Sequence, residues 1–370
     1  MRTAIVVGAG IGGVTAAVAL QRCGWEVTVL ERAAELGEVG AGISLWPAAA
    51  AVLSELGVKG VDQAAVPSGP FGLRKPNGRW VVAAPDLGLD LPVMIHRAQL
   101  HDLITAEFGP AVTVRTGYTV ETVTQDDTGV LVNGSLRADL LIAADGLRSV
   151  VRTALYPQYA GPQYSGSTAY RGITETKAND GGETWGSAER FGIAQLIDGR
   201  TYWYATHNQP AGQSGDLAEV IRKYGNWHDP IPALLATTQT VLQNDIYDLA
   251  LPLVPFAAGR IALLGDAAHA MTPNLGRGAC TAIEDAGALA RHLTSTPDPV
   301  TALTQYDAAR RPAATQLVKR SRQIGRLGQL ENPLAIGVRD ALMWLGGTAV
   351  RGAAALTKSR RAPKPTPSNR

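Results

Sequence analysis

The sequence predicts an α/β protein in which a Rossmann-like, largely parallel sheet is joined to a second, β-rich layer. Three observations carry that expectation. An apolar strand over residues 4–7 runs straight into Gly8-Ala9-Gly10-Ile11-Gly12-Gly13. Two later apolar strands, 140–144 and 260–264, each lead to an acid, Asp145 and Asp266. Between them, residues 162–257 set aromatics (Tyr170, Trp185, Phe191, Tyr202, Trp203, Tyr204) at short-strand spacing among many turns.

The first element is a βαβ unit. Gly8 permits the tight turn, Gly10 lets the backbone approach a pyrophosphate, and Gly13 lets the following helix (about 12–24) pack close to the strand. That helix offers free N–H groups and a partial positive charge to an anion. A second strand, 26–30, closes on Glu31, where a carboxylate can accept both hydroxyls of an adenosine ribose and repel a 2′-phosphate. In a chain with 41 glycines the glycine spacing alone says little. Strand, turn, helix, strand and acid in register say much more, while leaving open which dinucleotide is held.

Residues 46–58 show helical periodicity closed by Gly57, and 66–92 read as a small Gly- and Pro-rich hairpin layer. His96-Arg97 opens a helix to about Phe108, followed by strands at 112–114, 119–124, 129–132 and 140–144. Within the β-rich layer, helices are expected at 217–227 and 230–243. After the strand 260–264 come a loop, a long helix over 278–295, and helices at 300–325 and 333–346. The tail from Thr357 is rich in Lys, Arg, Pro and Ser and is expected to be disordered. The expected division is a discontinuous nucleotide-binding domain (1–65, 93–160, 258–300), a β-sheet substrate domain (66–92, 161–257), C-terminal helices (301–356) and the tail (357–370).

Composition narrows the function classes. The 370 residues fit two or three domains of ~150 residues, and 45% hydrophobic with 18% charged residues is ordinary for a globular protein. A formal net charge of +2 gives no reason to expect nucleic acid as a partner. Two cysteines, Cys23 and Cys280, exclude a disulfide framework, and no His, Cys and carboxylate grouping has metal-ligand spacing, so no metal is expected. No apolar run reaches ~18 residues and the N-terminus lacks a signal-peptide pattern, so the expectation is a cytoplasmic protein without an integral membrane segment.

Two further segments point to the cofactor. In Leu140-Leu141-Ile142-Ala143-Ala144-Asp145-Gly146-Leu147-Arg148-Ser149, a buried strand ends in Asp-Gly before a basic helix start. In the segment from Gly259 to Gly278, a strand delivers Asp266, and a loop with Pro273, Gly276 and Gly278 enters a helix N-terminus. That arrangement suits a ribityl chain bonded by Asp266 and a helix dipole aimed at an electron-rich ring edge.

With the glycine motif, these segments resemble the single-component FAD-dependent aromatic hydroxylases of the p-hydroxybenzoate hydroxylase fold, over about residues 1–330. The branch most alike holds the salicylate, 3-hydroxybenzoate and urate hydroxylases. The resemblance implies a cofactor set of Gly8, Gly10, Ile11, Gly12, Gly13, Glu31, Arg32, Gly42, Arg97, Asp145, Asp266, Gly276, Arg277 and Gly278. It also places Pro273 beside the flavin's reactive edge, and Arg190 and Tyr202 on the substrate side. There an Arg could bind an anionic substrate and a Tyr could orient or deprotonate it, or both could be ordinary sheet residues. Arg277 departs from the family's Gln, and could face the flavin N1 locus or solvent; Ala48 departs from its Asn.

The implied chemistry is reduction of FAD by NADH or NADPH, formation of a flavin C4a-hydroperoxide with O2, and hydroxylation or epoxidation of a small aromatic or polycyclic substrate, in a monomer or homodimer. A reductase of the geranylgeranyl-reductase type shares the first two motifs but not the run through Pro273 and both glycines. A non-catalytic FAD-binding protein stays a third reading. Of the other features, His269 is expected to hydrogen-bond within its loop and His207 to be exposed. The apolar stripe of 334–345 is expected to pack on the body, against the alternative of an interfacial membrane helix.

Overall fold

The structure, a computed structural model, describes residues 2–37, 42–67, 72–83 and 91–346. The tail expected at 357–370, the end of the segment 301–356 and parts of the hairpin layer lie outside the described residues.

A six-stranded sheet forms the first layer, in the order Ala257–Ala258, Ile261–Leu263, Leu140–Ala143, Arg2–Val7, Trp25–Leu30, Val112–Arg115. All neighbours are parallel except the short edge strand Ala257–Ala258. Val6, Val29, Ile142 and Ala262 are completely buried, which is why these strands read as unbroken apolar runs rather than alternations. The register aligns Val7 with both Leu30 and Ala143, and Ala143 with Leu263. The four strands therefore end level, and Gly8, Glu31, Asp145 and Asp266 follow at one edge of the sheet. Ligands of open α/β sheets bind at this carboxyl edge.

The helix Ile11–Arg22 covers the sheet with small residues, Ala16, Ala17 and Ala19, all buried. It packs against Gly278–Ser295, the long helix that follows the Asp266 loop. The 30-residue helix Pro299–Gly328 completes this core through Ala302, Leu303, Tyr306, Ala314 and Val318, and the Tyr306 hydroxyl donates to the Leu263 carbonyl at 2.9 Å.

A seven-stranded sheet forms the second layer, in the order Val241–Leu249, Pro162–Thr174, Thr201–Asn208, Glu189–Gln195, Gly182–Trp185, Gly72–Arg74, Trp80–Ala83. Side chains of successive strand residues alternate between faces. Phe191, Trp203 and Ala205 face the helices Leu217–Tyr224 and Ile231–Thr237 and pack on Tyr224, Leu234 and Leu235. Tyr202 and Leu196 face the other way and cluster with Met94. Met94 belongs to a small three-stranded sheet, Gly42–Leu45, Val93–His96, Ala65–Pro67, lying between the layers. A Cβ at Gly42 would come within 2.6 Å of the Tyr202 ring, so glycine there sets how closely the two layers meet.

Two expectations need correction. The helix expected at 230–243 ends at Thr237, and Val241–Leu249 is an edge strand paired with Pro162–Thr174. Its Thr- and Val-containing start has β propensity, and a partner strand distant in sequence decides the outcome. The helix over 333–346 is present, but its apolar stripe does not pack on the body. Arg339 and Asp340 are buried, whereas Leu334, Val338 and Leu342 are exposed.

Candidate active site

The glycine turn is built by close contact. Gly8 has φ +93°, and a Cβ there would lie 2.4 Å from the Ala144 carbonyl oxygen. A Cβ on Gly13 would lie 1.9 Å from the Gly8 carbonyl oxygen, so the helix can rest on the turn only without one. Gly10 is the N-cap, no side chain caps this helix, and its first turn holds no acid. Its N-terminal N–H groups are thus left for an anion in front of the sheet.

Glu31 braces this turn. Its Oε2 accepts from the Ala9 N–H and its Oε1 from the Ala33 N–H, both at 2.8 Å. A carboxylate has about four acceptor sites, so capacity remains for ribose hydroxyls. Arg32 follows at the surface, and Ile11 is buried as the first helical residue. Arg97 begins the helix Arg97–Thr105. One turn later, buried His101 places Nε2 2.7 Å from the Ala9 carbonyl oxygen. Sequence reasoning missed His101; its spacing of four from Arg97 was the available signal.

The two acidic motifs are joined from below. Asp145 Oδ2 accepts from the Val151 N–H at 3.2 Å, while Oδ1 is buried without a partner among the described residues. Burial pushes the Asp145 carboxyl above its ordinary range. The guanidinium of buried Arg152 donates to the Ala267 carbonyl at 2.9 Å and to the Leu147 carbonyl at 2.7 Å, tying the Asp145 segment to the short helix Asp266–His269. Asp266 itself faces solvent at the start of that helix.

Behind Asp266 stands fully buried Asp285. Its Oδ2 accepts from the Gly265 N–H at 3.2 Å and lies 2.5 Å from His269 Nε2, and its Oδ1 accepts from Arg310 Nε at 2.7 Å. Burial alone would raise the Asp285 carboxyl; the adjoining His269 and Arg310 more than offset this and hold it below the usual range. His269 thus bonds to Asp285 of the following helix rather than within its own loop. Asp285 and Arg310 were not foreseen, because the three residues meet only in the fold.

Past His269 the chain makes the 3-10 turn Pro273–Leu275 and enters the helix Gly278–Ser295, which again has no side-chain cap. Gly276 takes the left-handed conformation between them. Arg277 turns neither straight to solvent nor freely forward. Its Nη2 donates to Glu284 Oε1 at 2.6 Å, and its guanidinium lies 5.4 Å from the Trp46 ring centroid.

Arg190 sits on the sheet face opposite the helices, fully enclosed. Glu183 Oε2 accepts from its Nη2 at 2.5 Å and its Nε at 3.1 Å, and Nη1 donates to Asn274 Oδ1, next to Pro273. Trp185 Nε1 and the Tyr204 hydroxyl also donate to Glu183. Burial would raise the Glu183 carboxyl, but Arg190 and these donors keep it lowered. The guanidinium expected to meet an anionic substrate is therefore already neutralised by an internal carboxylate. Sequence reasoning named Arg190 and missed Glu183 and Asn274.

Tyr202 lies beside Tyr204, with ring centroids 6.2 Å apart. Burial raises the Tyr202 phenol despite nearby Arg171, which favours its protonated form. His207 is a correction: it is buried, stacked on Tyr170 at 5.2 Å and bonded to Gln209, because its strand lies inside the sheet.

The residues present fit a flavin dinucleotide: an uncapped helix over a turn that Cβ atoms would fill, an acid at the ribose position, a buried unsatisfied carboxylate oxygen, and a second uncapped helix behind a proline turn. Fold and site together define a flavoprotein monooxygenase of the p-hydroxybenzoate hydroxylase type. The chain belongs to the FAD binding domain family, which it matches over residues 1–321. It is 37% identical over 361 residues to the aurachin C monooxygenase/isomerase of Stigmatella aurantiaca, covering 92% of this chain and 93% of that one. It is 30% identical over 369 residues to the 2-heptyl-3-hydroxy-4(1H)-quinolone synthase of Pseudomonas aeruginosa, covering 94% and 95%. Klebsiella pneumoniae HpxO, solved with FAD and uric acid, superposes with a TM-score of 0.85 at 29% identity over 95% of each chain. FAD is the cofactor, and use of NAD(P)H and O2 on aromatic or polycyclic substrates is typical of this family. Among the described residues no helix is long and apolar enough to cross a membrane.

Proposed function

We propose that this enzyme inserts one oxygen atom into a neutral, fused-ring aromatic substrate of the quinolone class. The observation that carries the reading is the Arg190–Glu183 pair. An enzyme selecting a carboxylated ring would keep this guanidinium open, whereas here its charge is met from within. Tyr202, Met94 and Leu196 form a buried apolar cluster that would back a flat ring system. Near-full-length similarity to a quinolone synthase and to an aurachin C monooxygenase supports the same class.

In this reading Gly8, Gly10, Ile11, Gly12 and Gly13 hold the FAD diphosphate, Glu31 and Arg32 its adenosine, and Gly42, Arg97, Asp145 and Asp266 its ribityl and diphosphate portion. The backbone of Gly276, Arg277 and Gly278, with Pro273, would hold the flavin ring. When bound, the flavin supplies electrons from NAD(P)H and activates O2. The protein's own share is to exclude water, to orient the ring with the Tyr202 hydroxyl as donor, and to fix the Pro273 turn through Asn274 and Arg190.

The test is NAD(P)H oxidation by the FAD-loaded protein with 2-alkyl-4-quinolones, urate and salicylate in parallel. Faster oxidation and a product heavier by one oxygen are expected with the quinolones. Productive turnover of salicylate, with none on the quinolones, would reject the substrate class.

A further inference from the structure

In a helix resting on a globular protein the apolar stripe normally faces the core. The helix over 333–346 is mounted the other way round. Its body-facing side carries Arg339 and Asp340, both buried. Arg339 Nη1 donates to the Leu327 carbonyl at 3.1 Å, its guanidinium lies 5.3 Å from the Trp185 ring centroid, and its Nη2 donates to Asp340 at 2.8 Å. Lys75 Nζ reaches Asp340 Oδ2 at 2.9 Å. These bonds fix the helix's rotation and leave the opposite face to water. On that face Leu334 is 82%, Val338 59% and Leu342 64% exposed, at intervals of four, with Trp344 at the flank, 52% exposed.

The chain beyond this helix has one sign of charge. From Ala341 to Arg370 the sequence holds Arg351, Lys358, Arg360, Arg361, Lys364 and Arg370, and no Asp or Glu. The whole chain is +2, so with these six cations set aside the remainder is −4. This end therefore carries a local excess of positive charge that a negative surface would attract, and it also presents the apolar stripe. A second copy of the chain fits less well. Stable interfaces bury about 800 Å² per partner, more than one stripe of three aliphatic side chains offers, and like-charged tails would meet.

We propose that this helix and the basic segment after it dock the enzyme on an anionic lipid surface. Leu334, Val338, Leu342 and Trp344 enter the headgroup–acyl boundary while the cations pair with lipid phosphates. The contact stands whatever the substrate proves to be. Its position is defined by Trp185, whose ring lies between Arg339 and Arg190, at 4.9 Å from the latter. The helix that carries the docked face is therefore seated, through its other side, against the Arg190 network.

The test is sedimentation of the full-length, FAD-loaded protein with vesicles of phosphatidylcholine and phosphatidylglycerol at equal parts, and with phosphatidylcholine alone. Binding is expected on the mixed vesicles, with at least tenfold weaker partition on phosphatidylcholine and in 0.5 M salt. Leu342→Glu with Val338→Glu should weaken binding at least tenfold, with normal FAD absorbance. So should Arg360→Glu, Arg361→Glu and Lys364→Glu together, with FAD absorbance again as the check on folding. Failure of the wild-type protein to bind mixed vesicles, or binding unchanged in both variants, overturns the proposal. So does a dimer in the ultracentrifuge that Leu342→Glu dissolves, which would assign the face to a second copy.

Discussion

The two halves of the candidate site are made of different material. The nucleotide end leans on backbone, with a turn of positive φ, two uncapped helix starts and close contacts that exclude Cβ atoms, and sets a few acids, Glu31, Asp145 and Asp266, around it. The substrate side is a buried side-chain network in which Arg190, Glu183, Asn274, Trp185 and Tyr204 satisfy one another. A backbone site fails when atoms are added, whereas a side-chain network fails when one charge is removed. The two therefore break in different ways.

The sharpest contrast comes from paired substitutions. Gly13→Ala puts a methyl group 1.9 Å from the Gly8 carbonyl oxygen. It should cost at least about 3 kcal/mol, at the upper end of overpacking penalties, and purify without yellow FAD absorbance. Asp266→Ala should leave the fold intact and weaken FAD retention, measured by equilibrium dialysis; undiminished FAD content would contradict the assignment.

Glu183→Gln should act on the other half. It leaves the Arg190 cation buried without its carboxylate, at about 3–5 kcal/mol of stability, while FAD still binds in calorimetry. The pH dependence has a definite sign. Glu183 is lowered in the fold, so its contribution is complete above the ordinary carboxylate value, about 4.3, and is lost as pH falls through the folded value. Denaturant titrations should show the wild-type advantage over Glu183→Gln narrowing only below that range.

Tyr202→Phe should reduce kcat/KM by about tenfold, roughly 1.4 kcal/mol, without moving a neutral pH optimum, because burial raises the phenol and keeps it a donor. A loss beyond a thousandfold, with a shifted pH profile, would make Tyr202 the base. The smallest effect belongs to Arg277→Gln. The Glu284 pair is partly exposed, so the thermal midpoint should change by less than about 1 kcal/mol equivalent.

The same contrast explains what the sequence made legible. The glycine turn, Glu31, Asp145 and the loop from Asp266 to Gly278 are local patterns, and a backbone site must be written locally. Glu183 lies 7 residues from Arg190, and Asn274 a further 84 along the chain, so no spacing announces their meeting. Arg152 stands three residues past the Asp-Gly segment, yet its bond to the Ala267 carbonyl depended on two parallel strands ending level. His207 and the strand Val241–Leu249 were misjudged for a related reason: position inside a sheet, not local composition, determines their burial and conformation.

The order of the first sheet also sets a clock. The glycine turn is spelled out in the opening residues, yet Gly8 rests on the Ala144 carbonyl, and the Leu140–Ala143 strand in turn needs Ile261–Leu263 beside it. A ribosome adding roughly 5–20 residues per second takes on the order of tens of seconds to reach that last strand. Until then the opening βαβ unit lacks its neighbours, so the edge that faces the cofactor can be completed only late in synthesis.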